Sequence, residues 1–447
     1  MTTPILDFVK KYISSHPQRL HMPGHKGAQI LGCEPLDITE IDGADVLYHA
    51  NGIIKESMDN ASALFGSGKT LYSAEGSSLS IRAMLYLAVM YAKRKGKEPL
   101  VFAGRNAHKV YIMTSALLDF STKWLYGVEN CGINSCNITK EYLEDELSNA
   151  DILPCAVYIT SPDYLGNIAD IRGISEVCRK YGVLLLVDNA HGAYLRFLPE
   201  SLHPMSLGAD ICCDSAHKTL PALTGAGYLH ISKNAPKEIF EDGEKAMSLF
   251  ASTSPSYLIL QSLDAVNGYL SGDYRERLSE YCGRMSDLKK RLSDSGVENY
   301  GHEPLKLTVL PKKLGYSGAE LYDILRENEL VCEFYDPDHV VMMLTPENGE
   351  DVFDKIYKAF TSVPKKAPIT ETAPHFAKSK TAMSVKAAMM AERERLPLEA
   401  CIGKIYAGIT VSCPPAIPIA VCGEVIDEDT VKLMRYYGET EADVVKE

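Results

Sequence analysis

Between residues 60 and 265 the chain alternates short aliphatic runs with segments whose apolar residues recur at every third or fourth position. The runs predict strands at Thr70 to Ala74, Leu100 to Ala103, Thr122 to Tyr126, Ala156 to Thr160, Val183 to Val187, Ile211 to Cys213 and Gly227 to Ile231. The periodic segments predict helices at Ser78 to Lys95, His108 to Leu118, Lys140 to Leu147 and Ile171 to Tyr181. A strand that returns to its sheet through a helix lies parallel to its predecessor. The expectation is therefore an α/β fold with a mostly parallel seven-stranded sheet covered on both faces. In such a sheet ligands sit beyond the carboxyl ends of the strands.

A chain of 447 residues with 46% hydrophobic content exceeds one average domain. Ile5, Phe8, Val9 and Tyr12 fall at helical spacing near the N-terminus. The predicted organisation is an arm over 1–24, a large domain over 25–265 and a smaller α+β C-terminal region over 266–447. That region carries a loop at 364–380 and a helix from Ala382 to Arg395. A formal charge of -13 speaks against nucleic-acid binding and suits a cationic small substrate. Twelve cysteines without a Cys-x-x-Cys pair indicate neither a disulfide framework nor a zinc site, and a reduced, cytoplasmic setting is expected. No secretory pattern opens the chain, and no run of about 18 apolar residues predicts a membrane span.

Residues with chemistry gather at the predicted strand ends. After the first strand, Gly76, Ser77 and Ser78 open a helix, where free amides and hydroxyls can seat a phosphate; an ordinary serine N-cap is the alternative. After the second, His108 can lie flat against a planar ring or merely cap its helix. Val183 to Val187 delivers Asp188, whose buried carboxylate must meet a donor: a pyridinium nitrogen, a helix N-terminus or a backbone turn. His191 follows in a turn, facing a substrate or serving the fold. Ser215 and His217 follow the Ile211 run, and Lys218 ends that strand-like segment. Lys218 alone would suit a solvated surface as well as a site. A lysine able to hold an aldehyde and an acid able to keep a pyridine nitrogen protonated together suggest pyridoxal 5'-phosphate.

The motifs make the resemblance specific. His21 to Gly27 reads His-Met-Pro-Gly-His-Lys-Gly, and Gly43 to Tyr48 and Gly52 to Glu56 follow. The large domain adds Gly76-Ser77-Ser78, Asn106 to Lys109, Asp188 to Gly192 and Ser215 to Lys218, and Phe250 to Tyr257 comes after. The chain resembles the Orn/Lys/Arg decarboxylase family, fold-type-I pyridoxal phosphate enzymes acting on basic amino acids, in a short form without the N-terminal wing domain. The resemblance implies decarboxylation of arginine, lysine or ornithine to the amine and carbon dioxide in polyamine-type metabolism, with arginine slightly favoured. It implies Lys218 as the Schiff-base lysine, Asp188 on the ring nitrogen, His108 stacked on the ring and Ala190 beside it. Ser77, Ser78, Ser215 and His217 would hold the phosphate, and Ser252 or Thr253 would come from the neighbouring subunit of a homodimer. His191, His217 and Lys218 are candidates for the Cα proton donor, and Asp163 and Glu424 for the acid that reads the substrate's distal cation. An aminotransferase on the same fold and a non-catalytic cofactor- or metabolite-binding regulator are the alternatives. One departure stands out: where the family carries Tyr-Pro-Pro-Gly-Ile-Pro, this chain has Cys413 and Ala416 in place of the tyrosine and the glycine.

Overall fold

The computed structural model describes residues 1–128, 132–376, 378–409 and 416–446. Each aliphatic run becomes a strand: β1 (Lys69–Ser73), β2 (Leu100–Gly104), β3 (Ser121–Leu125), β4 (Ala156–Thr160), β5 (Leu184–Asp188), β6 (Ile211–Asp214) and β7 (Gly227–Ile231). They form the expected seven-stranded sheet in the order β1-β7-β6-β5-β4-β2-β3. Helices α1 (Pro4–Ser14), α2 (Ile53–Phe65), α3 (Gly76–Arg94), α4 (Lys109–Leu118), α5 (Lys140–Ser148) and α6 (Ile171–Tyr181) precede or separate the first five strands. Then come α7 (Pro204–Leu207), α8 (Ala216–Thr219), α9 (Lys237–Phe250), α10 (Tyr257–Leu270) and α11 (Tyr274–Asp294). In α6, Ile171, Ile174, Val177 and Cys178 are buried while Arg172, Glu176, Arg179 and Lys180 are exposed, the stripe its periodicity predicts.

Strand pairs β2/β3, β4/β5 and β5/β6 are parallel, whereas β7 is antiparallel to both β6 and β1. The reversal has a local cause: the link from Asp214 to Gly227 holds only the single turn of α8, too little for the crossover a parallel strand needs. With β7 reversed, β1 runs the same way as β6. The carboxyl ends of β1, β4, β5 and β6 therefore share one edge with the amino end of β7.

The chain divides into two compact units, one of Met1–Pro99, Pro154–Ser161 and Ile171–Leu278, the other of Leu100–Leu153, Pro162–Asp170 and Ser279–Glu447. In the first, every residue of β5 and β6 is buried, as central strands with both faces covered should be. The predicted N-terminal helix is present as α1. Ile5 and Val9 are fully buried, and Asp264 of α10 accepts the amides of Ile5 and Leu6 at 2.9 Å, the capping role that Thr3 leaves unfilled.

In the second unit, β8 (Asn299–Tyr300), β9 (Lys306–Val309), β10 (Phe334–Tyr335) and β11 (Val340–Met343) form an antiparallel sheet in the order β10-β11-β9-β8. Helices α12 (Gly318–Glu327) and α13 (Val352–Ser362) accompany it. The described residues of 364–380 hold no helix or strand, as their composition predicts. The expected helix from Ala382 to Arg395 is corrected. Helix α14 (Val385–Met390) ends early, and β12 (Arg393–Pro397) pairs antiparallel with β13 (Glu441–Val445), Arg395 opposite Asp443. Between them runs α15 (Glu428–Tyr436), and Leu398, Cys401, Ile426, Val431, Met434 and Val444 bury a small core. Among the described residues no helix is long and apolar enough to cross a membrane.

Candidate active site

The aliphatic strand β5 carries Asp188 into the core at 3% exposure. There the carboxylate finds the donors its burial demands. The Tyr158 hydroxyl on β4 donates to Oδ2 at 3.0 Å, the Ala190 amide donates to Oδ1 at 3.2 Å, and the Cys213 thiol on β6 lies 3.6 Å from Oδ1. Burial pushes the Asp188 carboxyl up, and the Lys218 ammonium is the strongest influence drawing it back. Sequence reasoning missed Tyr158. The signal was a hydroxyl-bearing aromatic within the run Ala156 to Thr160, because a buried tyrosine needs a partner.

Lys218 does not end a strand, as expected, but sits in α8, one helical turn beyond β6. Its Nζ lies 3.1 Å from Nε2 of His191. His191 is placed by a turn in which the Gly192 amide donates to the Asn189 carbonyl at 2.8 Å. Two residues expected to carry chemistry, from different strand ends, thus meet.

At the start of α3 the structure bears on the capping alternative alone. Glu75 occupies the cap position and makes no capping bond, while Ser77 and Ser78 lie inside the first turn. The serine-cap alternative fails, and Ser77 and Ser78 lie in the first turn, where amides without intrahelical partners can meet an anion. The Ser215 hydroxyl donates to Ser77 Oγ at 2.8 Å, joining the end of β6 to the start of α3. Gly76 takes φ +68°, and a Cβ on Gly227 would come within 2.8 Å of the Gly76 backbone, so this close approach requires glycine at both positions. His217 Nδ1 donates to the Ala226 carbonyl at 2.8 Å, which leaves Nε2 for a ligand. Burial pushes its imidazole down against that bond, and the Lys218 charge adds to the fall. An anion beside Nε2 would restore the proton and make it a donor. Ser252 and Thr253 are exposed, and the Ser252 amide donates to Glu75 Oε1 at 2.7 Å.

Asp214 ends the buried strand β6 just as Asp188 ends β5, a parallel that sequence reasoning passed over. Its Oδ2 accepts from Nε2 of His203 at 3.0 Å and of His230 at 3.1 Å, and its Oδ1 accepts from Asn189 Nδ2 at 2.7 Å. His203 Nδ1 accepts the Met205 amide, and the Thr70 hydroxyl meets His230 Nδ1 at 2.8 Å, so both rings are held with Nε2 toward the carboxylate. Burial alone would push the Asp214 carboxyl up, but the two imidazoles hold it well below the usual carboxylate range. Two histidines and an acid could suit a metal, yet each has a hydrogen-bond partner in the protein. Together they brace Asn189, next to Asp188, against the residue before Ser215.

In the second unit, His108 Nδ1 accepts the Val110 amide at 3.2 Å. The capping alternative is therefore observed, and it uses a ring edge and not a ring face. Arg105 and Glu424 form an ion pair at 3.4 Å, each 3% exposed. Arg105 also donates to the carbonyls of Pro418 and Ile419 at 2.9 and 2.8 Å, and Glu424 accepts the Val421 amide at 2.8 Å. The Lys109 amide donates to the Ala416 carbonyl at 2.8 Å, tying the proline segment to the first turn of α4. Ala416 stands at φ +60°, where a Cβ costs about 1 kcal/mol and glycine fits freely. Cys413 lies outside the described residues. Asp163 accepts from the Ser135 hydroxyl, the Leu165 and Asn167 amides and Asn167 Nδ2. Both candidates for reading a substrate cation, Asp163 and Glu424, are thus committed to the fold.

Comparison with known proteins finds two family models on this chain: Orn/Lys/Arg decarboxylase, major domain, over residues 3–299, and Orn/Lys/Arg decarboxylase, C-terminal domain, over residues 366–443. The arginine decarboxylase of Bacillus subtilis (strain 168) is 29% identical over 462 residues, covering 96% of this chain and 92% of its own length. Among solved structures, the constitutive lysine decarboxylase of E. coli superposes with a TM-score of 0.76 at 17% identity, over 100% of this chain and 82% of that one. Lysine decarboxylase A from Pseudomonas aeruginosa gives 0.79 at 16%, over 99% and 80%. At these identities the structural likeness speaks for the fold.

Proposed function

Because the chain belongs to the Orn/Lys/Arg decarboxylase family, it is an amino acid decarboxylase acting on a basic amino acid, and we propose that the amino acid is arginine and the cofactor pyridoxal 5'-phosphate. The arginine assignment is supported by the name of the Bacillus relative and by the chain's acidity. The observation that carries the cofactor assignment is the meeting of Lys218, the buried Asp188 and the uncapped start of α3 on one sheet edge. These residues fit the group: a lysine for its aldehyde, an acid for its ring nitrogen, amides and hydroxyls for its phosphate.

When bound, the cofactor supplies an electron sink for the pair left behind as carbon dioxide departs. The chain's own residues do the rest. Lys218 would hold the aldehyde carbon, and His191, with Nε2 3.1 Å from Nζ, is placed to exchange a proton with it. Asp188 would hold a proton on the ring nitrogen, an attraction strengthened where water is excluded. Gly76, Ser77, Ser78, Ser215 and His217 would hold the phosphate, with Ala190 beside the ring. His191, His217 and Lys218 remain the candidates to return a proton to Cα. A second copy brings Ser252 or Thr253, and its seat is supported by apolar side chains left bare at Leu20, Ile30 and Leu31, 93%, 81% and 87% exposed. The free thiols suit the cytoplasm.

Purified protein given arginine, lysine or ornithine without a keto acid should release carbon dioxide and the matching amine, identified by mass, fastest from arginine. Borohydride reduction and peptide mapping should find the cofactor on Lys218, and Lys218→Ala should abolish turnover. Turnover that needs a keto acid and releases no carbon dioxide would make it an aminotransferase. Cofactor trapped on another lysine would remove Lys218 from the chemistry.

A further inference from the structure

The second unit contains a cavity of about 600 Å³, within the range of small-ligand sites, and its walls include none of the residues assigned to the reaction. Phe334, Tyr335, Tyr406, Tyr436 and Tyr437 give it aromatic walls. Four carboxylates, of Asp336, Glu439, Glu441 and Asp443, face a single cation, Arg395. Arg395 is already paired with Glu441 at 3.0 Å. Asp336 is used up by Asn134, by the Asp338 and His339 amides and by the His339 ring. Among the described residues no hydrogen bond or ion pair engages the carboxylates of Glu439 and Asp443. Burial pushes the nearby Tyr406 hydroxyl up, and the charges of Glu439 and Asp443 push the same way.

Asn134 gives an independent indication. It lines the cavity at 2% exposure with its Nδ2 fixed on Asp336 Oδ2 at 2.9 Å, and among the described residues its Oδ1 has no hydrogen-bond partner. A buried acceptor left unmet costs free energy that a ligand donor would recover. Aromatic faces, two uncommitted carboxylates and a buried acceptor all favour one ligand chemistry, a cation that also donates hydrogen bonds.

We propose that this cavity binds a small organic cation, a guanidine or primary amine on a short alkyl chain, at a site separate from the reaction. Butylguanidine is a suitable probe, with butanol as the neutral control. Calorimetric titration of the full-length protein should show butylguanidine binding and no butanol binding. The Glu439→Gln/Asp443→Asn double variant should bind butylguanidine about tenfold more weakly. Both replacements are near-isosteric, and Glu439→Gln alone, on an exposed side chain, should weaken binding in the same direction. Without the probe, kcat and KM for the amino acid should match wild type in both variants. Equal affinity of wild type and double variant would overturn the proposal. So would a raised KM in the variants, which would put the cavity in the substrate's own path.

Discussion

Asp188 has to remain ionised in surroundings that favour its neutral form, so each donor it meets matters. Burial raises its carboxyl, and Lys218 and then the Tyr158 hydroxyl oppose the rise. Removing that hydroxyl changes no charge and leaves the ring packing in place. Tyr158→Phe should therefore move the Asp188 carboxyl further up. The ionised form would then be lost at a higher pH as the solution is acidified. The acid limb of the kcat profile should shift upward, and turnover at neutral pH should fall about tenfold, the worth of one hydrogen bond to a charged group. A pH profile identical to wild type would show that Tyr158 packs but does not tune. Cys213, whose thiol lies 3.6 Å from the same carboxylate, is the weaker donor, and its loss should matter less.

At the scale of the elements, the ends of β5 and β6 hold together through Asp214. Its carboxylate joins Asn189, after β5, to two histidines, and a neutral amide there would turn an NH2 group toward donors that are already present. Asp214→Asn should destabilise the fold by about 3 kcal/mol at neutral pH, measured by denaturant unfolding. The pH dependence has a definite sign. The folded carboxyl titrates below its unfolded value, so the brace is at full strength above about pH 4 and is lost as the pH falls below that. The gap between wild type and variant should narrow in acid for the same reason. The strand positions of this sheet were readable because their aliphatic runs are local in sequence. The Asp214 brace was not, since His203 and His230 lie 11 and 16 residues away and have no local motif. β12 was misread for a similar reason. Its alanine-, methionine- and charge-rich approach suits a helix, and only pairing with β13, near the end of the chain, makes Arg393–Pro397 a strand. The places of Lys218, Asp188 and the start of α3 at the sheet edge were legible because each follows a recognisable strand. The one-turn α8 that carries Lys218 was not, being too short for any periodicity to register.

For the molecule as a whole, the question is whether one chain completes its own site. Ser252 and Thr253 are exposed, yet the Ser252 amide is tied to Glu75, the residue before Gly76, in the same chain. A site finished within one chain and a site finished by a second copy therefore make opposite demands on these two hydroxyls. Mixing separates them. Chains carrying Lys218→Ala have no anchoring lysine, and chains carrying Ser252→Ala and Thr253→Ala lack the hydroxyls, so each alone should be nearly inactive. If a partner supplies the hydroxyls, a dimer of one chain of each kind has one intact site, in which Lys218 of the second faces Ser252 and Thr253 of the first. Random exchange at equal amounts makes half the dimers mixed, each with one of its two sites whole, and activity should return to about a quarter of wild type. If the hydroxyls serve their own chain, no mixed dimer contains an intact site, and activity stays at the level of the two parents whatever the mixing ratio.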